Sequence, residues 1–160
     1  MKQSIVHWFV AKVKPRTEKK IKAYLEAKGI EHCILFREEE PVLPGFVFIR
    51  ANRDQALSLP AESGLKISYL YDTMSKRFQI IPDKQITDFK FLHHFADRTL
   101  VLPNLKNLRG GEKVRVIKGE FAGIEGELYR IKGHKRVVVR LGGWVSLATA
   151  YIPRECLERI

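Results

Sequence analysis

Histidines, cysteines and acidic clusters are where this sequence could do chemistry. The five histidines are His7, His32, His93, His94 and His134. His93 and His94 are neighbours on a predicted helix, so their side chains diverge by about 100° and cannot share a metal as i and i+4 residues do. His32 and Cys33 adjoin in a predicted strand and point to opposite faces. Cys33 and Cys156 lie far apart, and a cytosolic chain keeps both reduced. No zinc-ligand spacing accompanies them. Glu38-Glu39-Glu40 has the chemistry to hold a cation, but a solvated acidic loop is the simpler reading. There is no phosphate-cradling glycine loop, no GxSxG turn and no HExxH helix. An enzyme needs polar groups that converge on a pocket, and none assembles. The expectation is no catalytic residue, no metal and no cofactor.

The positive signals point to binding. Trp8, Phe9, Leu43, Phe46 and Phe48 concentrate aromatic and apolar side chains in two predicted neighbouring strands. Phe46-Val47-Phe48-Ile49 is apolar on both faces: Phe46 and Phe48 share one, Val47 and Ile49 the other. Helices can cover one face. The other needs its own cover, either a partner protein or a second core layer.

The elements that position these residues follow from periodicity. Ile5 to Val13 alternates as a strand and stops at Pro15. Thr17 can cap a helix with Glu18 in its first turn, Ile21, Tyr24 and Leu25 on one face, and Gly29 as its stop. His32 to Phe36 and Phe46 to Ile49 read as strands. Asn52 can cap a short helix through Ala56, Leu57 and Leu59. Lys66 to Tyr71 and Phe78 to Ile81 read as strands about a turn, and Pro82-Asp83 opens a last helix carrying Ile86, Phe89, Leu92 and Phe95. The order β-α-β-β-α-β-β-α is that of an α+β domain, an antiparallel sheet with flanking helices. Residues 98 to 109 lose the pattern, and Arg109-Gly110-Gly111 reads as a hinge. From Glu112 onward, short strands with glycine turns predict a small all-β, SH3-like barrel. Its predicted core is Val114, Val116, Ile124, Leu128, Val137, Val139, Val145 and Ile152. The expected division is a domain over 1–96, a linker over 97–109 and a second domain over 110–160.

Composition agrees with a folded, polyanion-seeking protein. The chain has 160 residues, 45% hydrophobic and 29% charged, with a net charge of +11. Disorder of the whole chain is excluded by that balance. No apolar run approaches a membrane span. Met1 to Trp8 lacks the apolar core of a signal peptide, so the cytoplasm is the expected address. Residues 1–96 carry net +5 and residues 97–160 net +6, so neither half is a basic tail. A surplus of this size attracts nucleic acid or a machine that handles it.

Four stretches together resemble the NusG family of transcription elongation factors. They are Trp8-Phe9-Val10 before the first helix, Leu43-Pro44-Gly45-Phe46-Val47-Phe48, Ile81-Pro82-Asp83-Lys84-Gln85, and the run from Gly111 to Gly126. The last, with Val114-Arg115-Val116-Ile117-Lys118-Gly119 at its centre, is similar to a KOW motif and is the most specific. The resemblance implies an N-terminal NGN domain that binds the clamp helices of the RNA polymerase largest subunit and promotes processive elongation or antitermination. Val10, Leu43, Phe46 and Phe48 match its apolar groove. Lys14, Arg16 and Lys19 match the basic residues set beside upstream or non-template DNA, a salt-sensitive contact without sequence readout. A KOW domain implies a second partner: termination factor Rho, a small-subunit ribosomal protein, or RNA. Phe121, Ile124, Arg130, Lys132 and Arg136 are the candidates there. The stretch from Phe36 to Val42 is shorter and more acidic than the basic hairpin insert of general NusG. That favours a specialised paralogue, RfaH-like or of the Bacteroidetes capsule-locus antiterminator type. The expected state is a monomer without membrane contact. The competing reading is a KOW-containing RNA-binding or ribosome-associated protein, in which residues 108–160 alone would bind RNA.

Overall fold

The computed structural model describes residues 5–94, 100–102, 111–131, 133–141, 145–148 and 152–160, with 100–102 and 145–148 as backbone only. Two compact units divide the chain, Met1–Pro82 and Asp83–Ile160.

The first unit is built on β1 (Val6–Val13), an inner strand of its sheet. β5 (Phe46–Asn52) pairs antiparallel with one edge of β1, with Val10 opposite Phe48, and β2 (Glu31–Cys33) pairs with the far edge of β5. The other edge of β1 is shared: β6 (Ile67–Tyr69) pairs with residues 11–13, and β9 (Ile80–Ile81) with Trp8 and Phe9. Side chains alternate across this sheet. Phe9, Ala11, Val13, Val47, Ile49, Ala51 and Ile67 form one buried cluster with Ile21 and Leu25 of α1 (Glu18–Ala27) and Ala56 and Leu59 of α2 (Arg53–Ser63). Ile21 and Leu25 are i and i+4, so one stripe of α1 meets the sheet.

The helix ends show which cap signals act as read. The Asn52 side chain accepts a hydrogen bond from the Gln55 amide at 2.8 Å, as its cap role requires. Gly29 takes φ +67° just past α1, where a Cβ would be strained. Thr17 differs from expectation. It occupies the N-cap of α1, but its Oγ1 donates to the Lys14 carbonyl at 2.6 Å and makes no cap bond. The turn through Arg16, at φ 76°, aims the hydroxyl backward, a local bond that competes with capping.

Two short ladders complete the unit: β3 (Phe36–Arg37) with β4 (Glu40–Pro41), and β7 (Tyr71–Asp72) with β8 (Arg77–Phe78). The first is closed by Glu38 and Glu39, both at positive φ (51° and 69°), the backbone of a tight primed turn without glycine.

The second unit contains α3 (Asp83–His93) and a six-stranded antiparallel sheet. Its strands are β10 (Leu100–Leu102), β11 (Glu112–Val116), β12 (Glu125–Ile131), β13 (His134–Leu141), β14 (Val145–Ala148) and β15 (Leu157–Arg159). Their order is β10-β14-β13-β12-β11-β15. Val114, Val116, Phe121, Ile124, Tyr129, Val137, Val138, Val139, Leu141 and Ile152 are buried. Leu128, expected in the core, is half-buried, and its neighbour Tyr129 takes the interior position.

α3 lies against β13 and is tied into this unit by a buried carboxylate. Asp88 is 3% exposed. Its Oδ1 pairs with Lys84 at 2.8 Å, and its Oδ2 accepts the Glu125 amide at 3.2 Å. Lys84 also donates to the Gly123 carbonyl at 2.7 Å. The helix expected to close the first domain thus groups with the second unit. Within the stretch read as a linker, Leu100–Leu102 forms β10 on the edge of β14. Gly142, Gly143 and Trp144 lie outside the described residues.

Candidate partner-binding surfaces

The alternation in β1 and β5 puts Trp8, Val10, Phe46 and Phe48 on the face opposite the helix-covered core. Cys33, opposite Phe48, and Ile81, opposite Trp8, belong to the same face. Four of the predicted groove residues can now be placed. Val10 (1% exposed) and Phe48 (3%) are cross-strand partners and are fully buried. Leu43 is buried in the turn before β5. Phe46 is half-buried opposite the exposed Lys12. The face is a continuous apolar strip with Phe46 at its accessible end.

That strip is fixed by the turn that precedes it. The Gly45 carbonyl accepts the Val13 amide at 2.9 Å, and Phe46 donates its amide to Leu43 at 3.2 Å. Gly45 takes φ +82°, and a Cβ there would touch the Val13 carbonyl oxygen at 3.6 Å. The Gly45 amide donates to Glu18 Oε2 at 3.0 Å. Sequence reading assigned Glu18 only to the helix dipole. A bond across 27 positions has no local signature.

Lys14, Arg16 and Lys19 are exposed and sit within one turn and the first turn of α1. Their charges are not equivalent. Lys19 pairs with Glu39 at 2.7 Å and lies 5.9 Å from the centre of the Phe36 ring. The hydrogen bond and charge of Lys19 hold the Glu39 carboxyl below its ordinary range. The acidic hairpin therefore neutralises part of the basic turn beside it.

At the start of β1 is a cavity of about 480 Å³ that sequence reading did not single out. His7, Arg53, Tyr71, Arg77 and Phe78 line it, with Arg53 lying 5.9 Å from the centre of the Phe78 ring. The rings of Phe9, Tyr69, Tyr71 and Phe78 pack edge to face.

In the second unit, Phe121 and Ile124 face the interior of the turn between β11 and β12. Gly119 and Gly123, at φ 89° and 100°, let that turn close, and Gly123 donates its amide to the Val116 carbonyl at 2.8 Å. Arg130 is exposed and reaches the Gly133 carbonyl at 3.3 Å, while Arg136 is half-buried with its Nε donating to the Ile131 carbonyl at 3.2 Å. Lys132 lies outside the described residues. Phe121 and Ile124 are separated from the two arginines by the length of β12.

Among the described residues, no group of three or more His, Cys, Asp and Glu side chains could hold a metal ion. Nor is any described helix long and apolar enough to cross a membrane.

Residues 6–90, more than half of the chain, match the family model of transcription termination factor nusG. The solved structure of Thermotoga maritima NusG is similar over 98% of this chain and 98% of its own, at 17% identity and a TM-score of 0.52. That likeness shows a shared fold. A chain of the MjSpt4:Spt5 complex aligns over the same shares at 17% identity, with a TM-score of 0.33, too low to carry an argument. No curated protein matches the chain.

Proposed function

This chain belongs to the NusG family of transcription factors, and from that premise we propose that it binds RNA polymerase at the accessible Phe46 end of the apolar strip that Val10 and Phe48 continue into the interior. The observation that carries the reading is the second apolar face. Phe46 and Phe48 stand beside Val10, opposite a core that α1 and α2 already close. The clamp helices of the largest subunit are the proposed target, with Phe46 at the rim of the contact and the buried Leu43 supporting the turn behind it. Lys14 and Arg16 are the proposed contacts to upstream or non-template DNA, with Lys19 held back by Glu39. The second unit is proposed as a KOW barrel that recruits a further partner: Rho, a small-subunit ribosomal protein or RNA. The short acidic hairpin at Glu38 and Glu39 supports a specialised, operon-directed paralogue, and a cytoplasmic monomer is proposed alongside it.

The test is transcription by purified RNA polymerase on a template with a pause and a terminator. The full chain should change read-through or pause lifetime, and Phe46→Ala should reduce that effect at unchanged thermal stability. An equal effect from a folded Phe46→Ala chain would remove this face from the account. Tight RNA binding without any polymerase effect would support the RNA-binding alternative instead.

A further inference from the structure

The cavity at the start of β1 holds about 480 Å³, within the range of roughly 300–1,000 Å³ that takes a small molecule. His7 and Phe9 in its wall alternate with Trp8 and Val10, so it lies on the helix side of the sheet, away from the face of Phe46 and Phe48. Lys14 and Arg16 follow the other end of β1. Two features of the wall are unmatched within the protein. The first is charge. Arg53, Lys76 and Arg77 are exposed there. Elsewhere in this unit Lys19, Lys22 and Arg50 are matched by glutamates at 2.7 to 4.0 Å. Among the described residues, no carboxylate pairs with Arg53, Lys76 or Arg77. Asp72 stands opposite Arg77 in the β7–β8 ladder, but its Oδ1 accepts the Met74 amide at 2.9 Å. Asp54 is the acid of the wall, so three cations face one carboxylate. The second feature is apolar. Tyr71 is 49% exposed and Ile80 39%, and both line the same cavity. The Tyr71 and Phe78 rings meet edge to face at 5.1 Å, and the Arg53 guanidinium lies 5.9 Å from the centre of the Phe78 ring.

We propose that this cavity binds a nucleotide, with the base against the Tyr71 ring and the Arg53 guanidinium and the phosphate on Lys76 and Arg77. The ligand must be anionic to answer three cations, and flat to cover a half-exposed ring. A base is apolar on both faces and stacks on aromatic rings and on a guanidinium plane alike. Phosphate supplies the missing anion and matches the arginine fork. An acidic peptide would answer the cations but gives the Tyr71 ring nothing flat to stack on. The same chemistry is offered by a free nucleotide and by one unit of a single strand, and the experiment separates the two.

The proposal does not rest on the polymerase reading, and its test needs no polymerase. The ¹⁵N-labelled full chain is titrated with ATP, and separately with a deoxyadenosine decamer, while the Tyr71, Arg77 and Phe78 amide resonances are followed. A saturable shift is expected. A shift with ATP assigns the site to a free nucleotide, and a shift with the decamer alone assigns it to a strand. Tripolyphosphate and hexaglutamate, anions without a base, should bind at least about tenfold more weakly than the probe that binds. Tyr71→Ala should weaken binding about tenfold, the scale of one lost stacking contact. Since Tyr71→Ala also removes a ring from the Phe78 packing, Arg77→Gln on the exposed rim is the second variant, expected to weaken binding several-fold at unchanged thermal stability. Lys28→Gln removes an exposed cation that also lies beside a ring, 5.8 Å from the centre of Tyr24, and should leave binding unchanged. No saturable shift with either probe would overturn the proposal. So would equal binding of a base-free anion, full affinity in both Tyr71→Ala and Arg77→Gln, or an equal loss in Lys28→Gln.

Discussion

Phe46 and Phe48 lie two residues apart on the same face of β5, but a substitution means different things at each. Phe48 is 3% exposed, so Phe48→Glu would force a charge into the interior and report on folding instead of binding. Phe46 is half-buried, and Phe46→Ala removes apolar surface at the rim while leaving the helix-side core intact. Tyr69 shows how burial acts on a single group. Its hydroxyl is buried without a hydrogen-bond partner among the described residues, and desolvation raises its pKa from 10.0 to about 12. The folded state therefore keeps this proton after the unfolded chain has lost it. The stability it contributes is complete below pH 10 and is lost as pH rises toward 12. Urea unfolding of the native and Tyr69→Phe chains should give midpoints that diverge over that window, with the native chain falling faster. Parallel curves would mean that the hydroxyl is solvated in the folded protein.

At the scale of elements, turns decide where function is placed. The turn between β1 and α1 displays the exposed Lys14 and Arg16, while Lys19 is paired with Glu39. If both touch DNA phosphates, Lys14→Ala with Arg16→Ala should reduce the slope of log affinity against log salt by about 2 in the elongation complex. An unchanged slope would take DNA contact away from this turn. In β12, Gly126 is required by close packing. A Cβ there would lie 2.3 Å from the Val138 carbonyl oxygen. Gly126→Ala should cost about 1–3 kcal/mol, read as a lowered denaturation midpoint with the first sheet still formed. An unaltered midpoint would mean that β12 and β13 can part without penalty. Helices and long strands were legible because their period is local. Asn52 as a cap, Gly29 as a stop, and the two apolar faces of β5 all rest on residues within a turn of each other. β10 and β15 were not legible, because three-residue edge strands are defined by pairing with β14 and β11 at a distance. The Thr17 hydroxyl could accept from an amide of the first turn of α1 or donate to the Lys14 carbonyl, and the Arg16 backbone favours the second.

Across the whole molecule, the chain forms two units of similar size, each with its own antiparallel sheet and buried core. The division falls at Pro82 and Asp83, ahead of α3, because Asp88 is bonded to the Glu125 amide and Lys84 to the Gly123 carbonyl. These bonds span 37 and 39 positions, so periodicity placed the helix correctly but could not say which sheet it serves. The same limit applied to the candidate site. Alternation set Phe46 and Phe48 on one face and the family resemblance added Val10 and Leu43 as groove candidates, while the Glu18 bond that shapes their turn needed coordinates. The family match places the chain among transcription factors, a net charge of +11 suits a protein that works on nucleic acid, and the Phe46 end of the apolar face is the proposed point of attachment. The most direct measurement is the affinity of the full-length chain for RNA polymerase, compared with Phe46→Ala at matched thermal stability. The account predicts that the native chain binds and that Phe46→Ala binds at least about tenfold more weakly, the loss expected of an aromatic anchor. Equal binding by a folded Phe46→Ala chain, or no binding by the native one, would contradict it.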